Sequence, residues 1–293
     1  MKMIFLVAAG LFFGMLPNVQ AKPLNVVATH AILGDIVLQV GGPHVQVTTL
    51  VGVDRDPHTY EPTPADLRHL KNAKVVVMNG LGLEGWMERL VAASGFAGQP
   101  VVATTGIAPR MMEKDGQQIA DPHAWNSAAN GVIYSRNIVK ALSEADPDHA
   151  KTYQDRGTRY QEEWQQLDEE TRRAMQAIPA KQRKLLIGHD AFGYFADRYG
   201  LTFLAPQGLS TESESSAATV AGVIRQIKQE GISAYFLESS NDPRLVRQIG
   251  QATGAKAGGT LYVESLSASN GPAATYLQLF RHNVEQLQQA MRD

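Results

Sequence analysis

Two series of short apolar runs, each run followed by a segment of helical spacing, flank about thirty residues of polar helix-forming sequence, and few folds accept that order. In the first series, residues 24–28, 45–51, 75–78 and 100–103 read as strands rich in Val, and residues 31–40 and 85–93 read as helices. A further helix opens at Thr63, with Pro64 at its first position and Asp66 three residues after the cap, in place of the Glu or Gln of the usual capping box. In the second series, residues 184–187, 201–204, 234–237 and 260–263 alternate with helical segments 191–199, 216–230 and 243–253, and residues 272–291 close the chain as a helix. Strands alternating with helices imply mainly parallel sheets with helices on both faces, an α/β class.

Between the series, residues 127–145 are helical and stop at Asp146-Pro147. Residues 148–177 follow, with Tyr153, Tyr160, Trp164 and Leu167 marking one apolar face. Thirty helical residues reach about 45 Å, longer than one lobe needs. That length suits a rigid connector between two lobes; a surface helix capping one domain is the other reading. The expected organisation is an export signal over 1–21, an N-terminal α/β lobe over 22–146, the connecting helix over 147–178 and a C-terminal α/β lobe over 179–293.

The signal is read from Lys2, the apolar residues 4–16 and the small-residue ending Val19-Gln20-Ala21. Its apolar stretch is short of a membrane span, so the mature chain is expected to begin near Lys22 and to work outside the cytoplasm, in the periplasm of a cell with an outer membrane. The 293 residues contain no cysteine, which removes disulfides, thiolate metal ligands, a cysteine nucleophile and a lipid-bearing cysteine. A formal charge of −2 gives no general attraction for nucleic acid or anionic lipid.

Three of the eight histidines sit in short loops at strand-to-helix transitions: His58 in DPHTYEPTPADL, His123 in DPHAWN and His189 in LLIGHDAFGYF. Parallel sheets present ligands at the carboxyl ends of their strands. Neutral imidazole is the commonest protein ligand for zinc, and three need one more donor to close a tetrahedral site. Glu264, in the loop GGTLYVESLS, is the candidate fourth. His30 is read as a loop histidine bonded to backbone or water, with a supporting or alternative ligand as the second reading. Glu61 and Asp66 are expected to orient the His58 loop and cap its helix, and Asp190 either to orient the His189 loop or to favour the start of the next helix. Glu238 is either a support for a ligand or an interlobe hydrogen-bonding group. Tyr60 and Trp125 read as cleft-wall packing, and His44, His69, His149 and His282 as surface or packing residues.

PHTYEPTPADL, NGLGLEGWMERL, DPHAWN, GHDAFGYFADRYGL and LYVESLSASNGPAATYLQLFRHNVEQL occur in that order over nearly the whole mature chain. Together they resemble the zinc/manganese solute-binding protein family of bacterial ABC importers, and most of all its zinc-specific members. The resemblance implies two lobes joined by one long helix, a metal bound in the cleft between them, and ligands at His58, His123, His189 and Glu264. It also implies delivery to an ABC permease in the inner membrane, without catalysis, by a protein expected to be a monomer. The family usually carries Asp where this chain has Glu264, and Pro where it has Ser215. Its manganese-binding members place a carboxylate where this chain has His189, so zinc is the expected cargo, with manganese or iron the alternative. Zinc-specific members often carry a histidine-rich loop before the second motif. Residues 110–120 hold no histidine and read as an ordinary connection with a turn at Asp115-Gly116, so one tightly bound ion is expected.

Two other functions fit parts of the pattern. A zinc hydrolase would need an open coordination position, which Glu264 would fill, and no HExxH supplies a general base. An adhesin fits export but leaves the histidines unexplained. Because imidazoles must be neutral to bind, capture is expected to weaken as pH falls through about 6 to 6.5.

Overall fold

The computed structural model describes residues 22–292 apart from 115, 116 and 213, so the expected signal and the turn at Asp115-Gly116 lie outside the described residues. Strands β1 (Leu24–His30), β2 (Val45–Val51), β3 (Val75–Met78) and β4 (Val101–Val102) form a sheet in the order β2-β1-β3-β4 with every pair parallel. Helices α1 (Ala31–Gly41), α2 (Pro64–Asn72) and α3 (Met87–Ser94) make the crossovers. At the start of α2 the Asp66 carboxylate accepts the backbone N–H of Thr63 at 2.6 Å, the return bond of a capping box, so the expected start signal operates.

Residues 110–120 depart from the expected connection. β5 (Met111–Lys114) and β6 (Gln117–Ala120) pair antiparallel as a hairpin, in sequence that lacks the β-branched alternation by which strands are recognised. Then come α4 (Ala128–Ala145) and the 27-residue α5 (Ala150–Gln176).

The second sheet, β10-β9-β7-β8, is again parallel throughout: β7 (Lys184–Leu186), β8 (Thr202–Leu204), β9 (Ala234–Glu238) and β10 (Lys256–Leu261). Its helices are α6 (Gly193–Tyr199), α7 (Ala217–Glu230), α8 (Arg244–Thr253) and α9 (Tyr276–Arg292). β10 begins four residues before the expected strand at 260–263. Gly258-Gly259 lies where the β9–β10 register shifts between Ala257 and Thr260, a bulge that glycine accommodates.

α5 spans about 40 Å and is anything but a solvated rod. Tyr153, Tyr160, Trp164, Leu167 and Met175 are buried along one stripe, inside a single core that includes residues of both sheets. Trp164 lies against Tyr276 and Phe280 of α9, with ring centroids 4.2 and 5.6 Å apart. On its other side Gly131 lets α4 approach, because a Cβ there would sit 2.5 Å from the indole. Gly131→Ala should therefore destabilise the protein by about 1–3 kcal/mol through overpacking, although alanine is the better helix former by about 1 kcal/mol. Urea unfolding would check the sign; a stabilised variant would show that the indole can yield.

Candidate metal centre

Four loops, after β2, after the β5–β6 hairpin, after β7 and after β10, contribute one residue each to a single cluster. Nε2 of His58 lies 3.0 Å from Nε2 of His123. Oε1 of Glu264 lies 2.8 Å from Nε2 of His189 and 3.2 Å from Nε2 of His123, and Oε2 lies 3.8 Å from Nε2 of His58. One donor atom from each of the four residues falls within 4.8 Å of all the others, the one such group among the described residues. A tetrahedral ion with bonds of about 2.0–2.1 Å separates its ligand atoms by about 3.3 Å, so small shifts would let these four enclose one. His123, His189 and Glu264 are fully buried, while the His58 side chain is 7% exposed.

The ligand loops hold one another. Asn79, in the NGLGLEGW stretch after β3, donates from Nδ2 to the carbonyl of Pro122 at 2.9 Å, bracing the residue before His123. Gly80 in the same turn has φ +86° and donates its N–H to the buried Glu84, which also accepts from Thr29 and from Asn79 N–H. Trp125 donates from Nε1 to the carbonyl of Val263 at 2.8 Å, and Asn126 from Nδ2 to that of Ala191 at 3.0 Å. DPHAWN thus places its own histidine and ties down the loops of Glu264 and His189. The Glu264 loop meets the His58 loop through Asp54 N–H to the Leu266 carbonyl at 3.1 Å and the Ser265 hydroxyl to the Gly52 carbonyl at 3.3 Å.

Two imidazoles are oriented by carboxylates. Asp121 Oδ1 accepts both the backbone N–H of His123 at 3.0 Å and its Nδ1–H at 2.8 Å. Glu238 accepts the N–H groups of Gly188 and His189 on Oε1, at 2.7 and 3.0 Å, and the Nδ1–H of His189 on Oε2 at 2.6 Å. Such partners fix the ring so that Nε2 faces the ion. Glu238 is therefore the support for His189, and it is itself held by Asn241 Nδ2. Asp190 makes no hydrogen bond to the His189 ring. Asp66 accepts from Tyr60, Thr63 N–H and the Thr63 hydroxyl, whereas Glu61 is exposed and makes no contact with the site. The residue that orients the His58 turn is Asp56, whose Oδ1 accepts the N–H of His58 at 2.8 Å. The repeated Asp-Pro-His was the available signal for both Asp56 and Asp121, since Asp accepts readily from the N–H two residues on.

The cluster's charges interlock. Burial opposes a charge on His123, but Glu264 and Asp121 outweigh it and raise its pKa to about 9. Burial likewise opposes a charge on His189, and Glu238 and Glu264 carry its pKa well above the ordinary imidazole value. Glu264 is penalised by burial yet held well below the carboxylate range by His123, His189 and His58. The His58 pKa is lowered, by burial and then by the neighbouring imidazoles against the pull of Glu264. Protons on His123 and His189 consequently stand in for the positive charge of an ion, and an ion must displace them. The expected pH window of 6 to 6.5 is too low for these two residues.

His30, at the end of β1, is 1% exposed, and neither ring nitrogen has a hydrogen-bond partner among the described residues, contrary to its reading as a bonded loop histidine. It packs on Trp125 at 5.2 Å, and burial pushes its pKa down to about 4. Trp125 is the wall between it and His123, and Tyr60 lies against Trp86. The other histidines stand apart from the cluster: His44 and His149 stack at 3.9 Å, His282 bonds the Thr260 carbonyl and His69 is exposed.

Two parallel sheets spanned by one long helix, with four donors converging between them, form the architecture of the metal-binding substrate-binding subunits of ABC importers. The chain matches the family described as ZnuA, zinc-uptake complex component A periplasmic, over residues 26–290, and it belongs to that family. It is 36% identical over 270 residues to the iron-binding protein YfeA of Yersinia pestis, across 92% of this chain and 86% of that one. It is 32% identical over 277 residues to the manganese-binding lipoprotein MntA of Bacillus subtilis, across 92% and 90%. A Mn-bound periplasmic metal binding protein from Candidatus Liberibacter asiaticus superposes with a TM-score of 0.83 at 31% identity, covering 92% of this chain and all of that one. These relatives are named for iron and manganese, so they do not carry the expected preference for zinc. Among the described residues no helix is long and apolar enough to cross a membrane.

Because the His123 pKa is raised to about 9, its proton competes with an ion at every pH below that value. Apparent affinity for a divalent ion should rise about tenfold per pH unit from 7 to 9 for each proton displaced, and up to about a hundredfold per unit where His123 and His189 both give theirs up. Calorimetry at pH 7 in buffers of different ionisation enthalpy should show protons released; flat affinity over this range would contradict the assignment. For His30 the sign is opposite to that of a paired histidine. Its folded pKa near 4 lies below the unfolded value of 6.5, so the unfolded chain binds the extra proton, and stability from this residue is lost as pH falls from 6.5 to 4. The stability advantage of metal-free His30→Phe over wild type should grow by about 3 kcal/mol across that interval, as denaturant titrations at several pH values would measure.

Proposed function

We propose that this chain captures one divalent first-row transition-metal ion on His58, His123, His189 and Glu264 outside the cytoplasm and delivers it to the permease of an ABC importer. The observation that carries the reading is the convergence of four donors from four separate loops, three of them fully buried, with the imidazoles of His123 and His189 each backed by its own carboxylate. In this reading residues 22–146 and 179–293 act as two lobes and residues 147–178 as a stiff connector, with the core along α5 limiting their movement.

For the ion, manganese or iron comes first, since those are the ions for which the relatives are named. Zinc is the second reading, favoured by a donor set of three imidazoles and one carboxylate. Affinity alone does not separate them. By the Irving–Williams order a site of these donors binds zinc more tightly than Mn2+ or Fe2+ whatever its cargo in the cell. Elemental analysis of protein isolated from its native compartment does separate them: manganese or iron in excess of zinc supports the first reading, and zinc in excess supports the second. Replacing His58, His123 or His189 by Ala, or Glu264 by Gln, should weaken binding of any of these ions at least tenfold, on the order of the effect of losing a supporting partner. Wild-type affinity in one of these variants would remove that residue from the site.

A further inference from the structure

The two Asp-Pro-His turns are alike in backbone and unlike in what their carboxylates do. Asp121 and Asp56 each accept the N–H of the histidine two residues on, at 3.0 and 2.8 Å. Asp121 uses the same oxygen to grip the ring of its own histidine. Asp56 leaves the His58 ring alone: among the described residues no carboxylate meets His58 Nδ1. Its second oxygen instead accepts the hydroxyl of Thr211, 155 residues away, in the loop between β8 and α7. His58 is also the one ligand of the four that is not fully buried.

Asp56 and Thr211 stand together at the edge of an open groove of about 680 Å³. Asn241, which holds Glu238 and through it His189, lines the same groove. Asp56 and Thr59, on either side of His58 in the chain, both line this groove, so it lies beside the ligand that is most exposed and whose ring is least supported, and that ligand's turn is fastened to the opposite sheet's loops at Thr211.

We propose that the Asp56–Thr211 hydrogen bond is the latch that keeps the His58 turn closed over the captured ion, with Asp56 and Thr211 as positioning residues for retention and release. It rests on the reading of the four donors as the metal site. Opening the latch leaves the His58 turn anchored at its start by the Asp54–Leu266 and Ser265–Gly52 hydrogen bonds, so the tip at His58 can swing outward while His123 and His189 stay fixed by Asp121 and Glu238, and His58 is the first ligand to leave. A hydroxyl bonded to a carboxylate is worth more than a neutral pair, and its loss should appear in the rate of dissociation.

The test uses Zn2+ as the probe, with release from the loaded full-length protein followed after mixing with an excess of chromogenic chelator. Thr211→Val keeps the shape and removes the hydroxyl. It should release zinc about tenfold faster, the equivalent of about 1.4 kcal/mol, with the association rate within about twofold of wild type. Thr211→Ser restores the hydroxyl and should return dissociation to the wild-type rate, which a purely steric role for Thr211 would not produce. Zinc bound by Thr211→Val and released at the wild-type rate overturns the latch while leaving the metal site standing. Equal acceleration in Thr211→Ser also overturns it. Failure of the wild type to bind Zn2+, Mn2+ or Fe2+ at all overturns the metal reading and the latch with it.

Discussion

Glu264 is a carboxylate with no exposure to water, and burying an unpaired charge is among the most unfavourable events in a fold. Here it is surrounded by three imidazole Nε2 atoms, and it stays ionised because positive charge is supplied to them, by protons or by an ion. The rest of the site follows from this constraint. Asp121 and Glu238 lie on the outer nitrogens of His123 and His189, where they orient the rings and strengthen their hold on positive charge. A divalent cation satisfies the same electrostatic demand as two protons and does so with directed bonds. That exchange makes the centre responsive to pH and specific for cations.

Precise placement of four donors from strand ends so far apart in sequence requires that the loops be tied to one another. Trp125 and Asn126 bond the loops of Glu264 and His189, and Asn79 braces the His123 turn. The core along α5 holds the two sheets in register beneath them. His30 and Trp125 complete the wall, and the two nitrogens of His30, unmatched among the described residues, work against stability at the same place. Regions that keep unfavourable groups close to a binding centre are common where function and stability compete.

Much of this was legible from residue order. Val-rich runs of four to seven residues followed by amphipathic stretches identify parallel strands and their helices, because both periods reflect burial of a sheet face or a helix stripe. The apolar stripe Tyr153, Tyr160, Trp164, Leu167 marked the buried face of α5 in the same way. The β5–β6 hairpin was missed because its strands Met111–Lys114 and Gln117–Ala120 carry no such pattern; its base is tied to the second series through Arg110. Arg110 accepts the N–H of Asp121 on its carbonyl, donates its own N–H to Tyr194 and reaches Asp197 on α6. β10 was placed too late because glycines that break an isolated strand are tolerated at a bulge in a paired one.

Sequence alone determined the α/β class, the two strand series and the long helix between them, since each depends on local periodicity that any chain segment displays without its partners. It also singled out His58, His123, His189 and Glu264, because imidazole and carboxylate chemistry is intrinsic to the residue and loops after strands are where a parallel-sheet protein presents ligands, although His123 follows the antiparallel β5–β6 hairpin. Tertiary structure decided the roles of their neighbours. That Glu238 rather than Asp190 backs His189, and that His30 is buried with no hydrogen-bond partner among the described residues, depend on contacts between segments distant in sequence, as does the second bond of Asp56, to Thr211. Protonation was decided there too. The same imidazole is lowered at His30 by burial, which outweighs the pull of Glu264, and raised at His123 by Glu264 and Asp121 overcoming burial, and only the packed fold sets which carboxylates lie within reach.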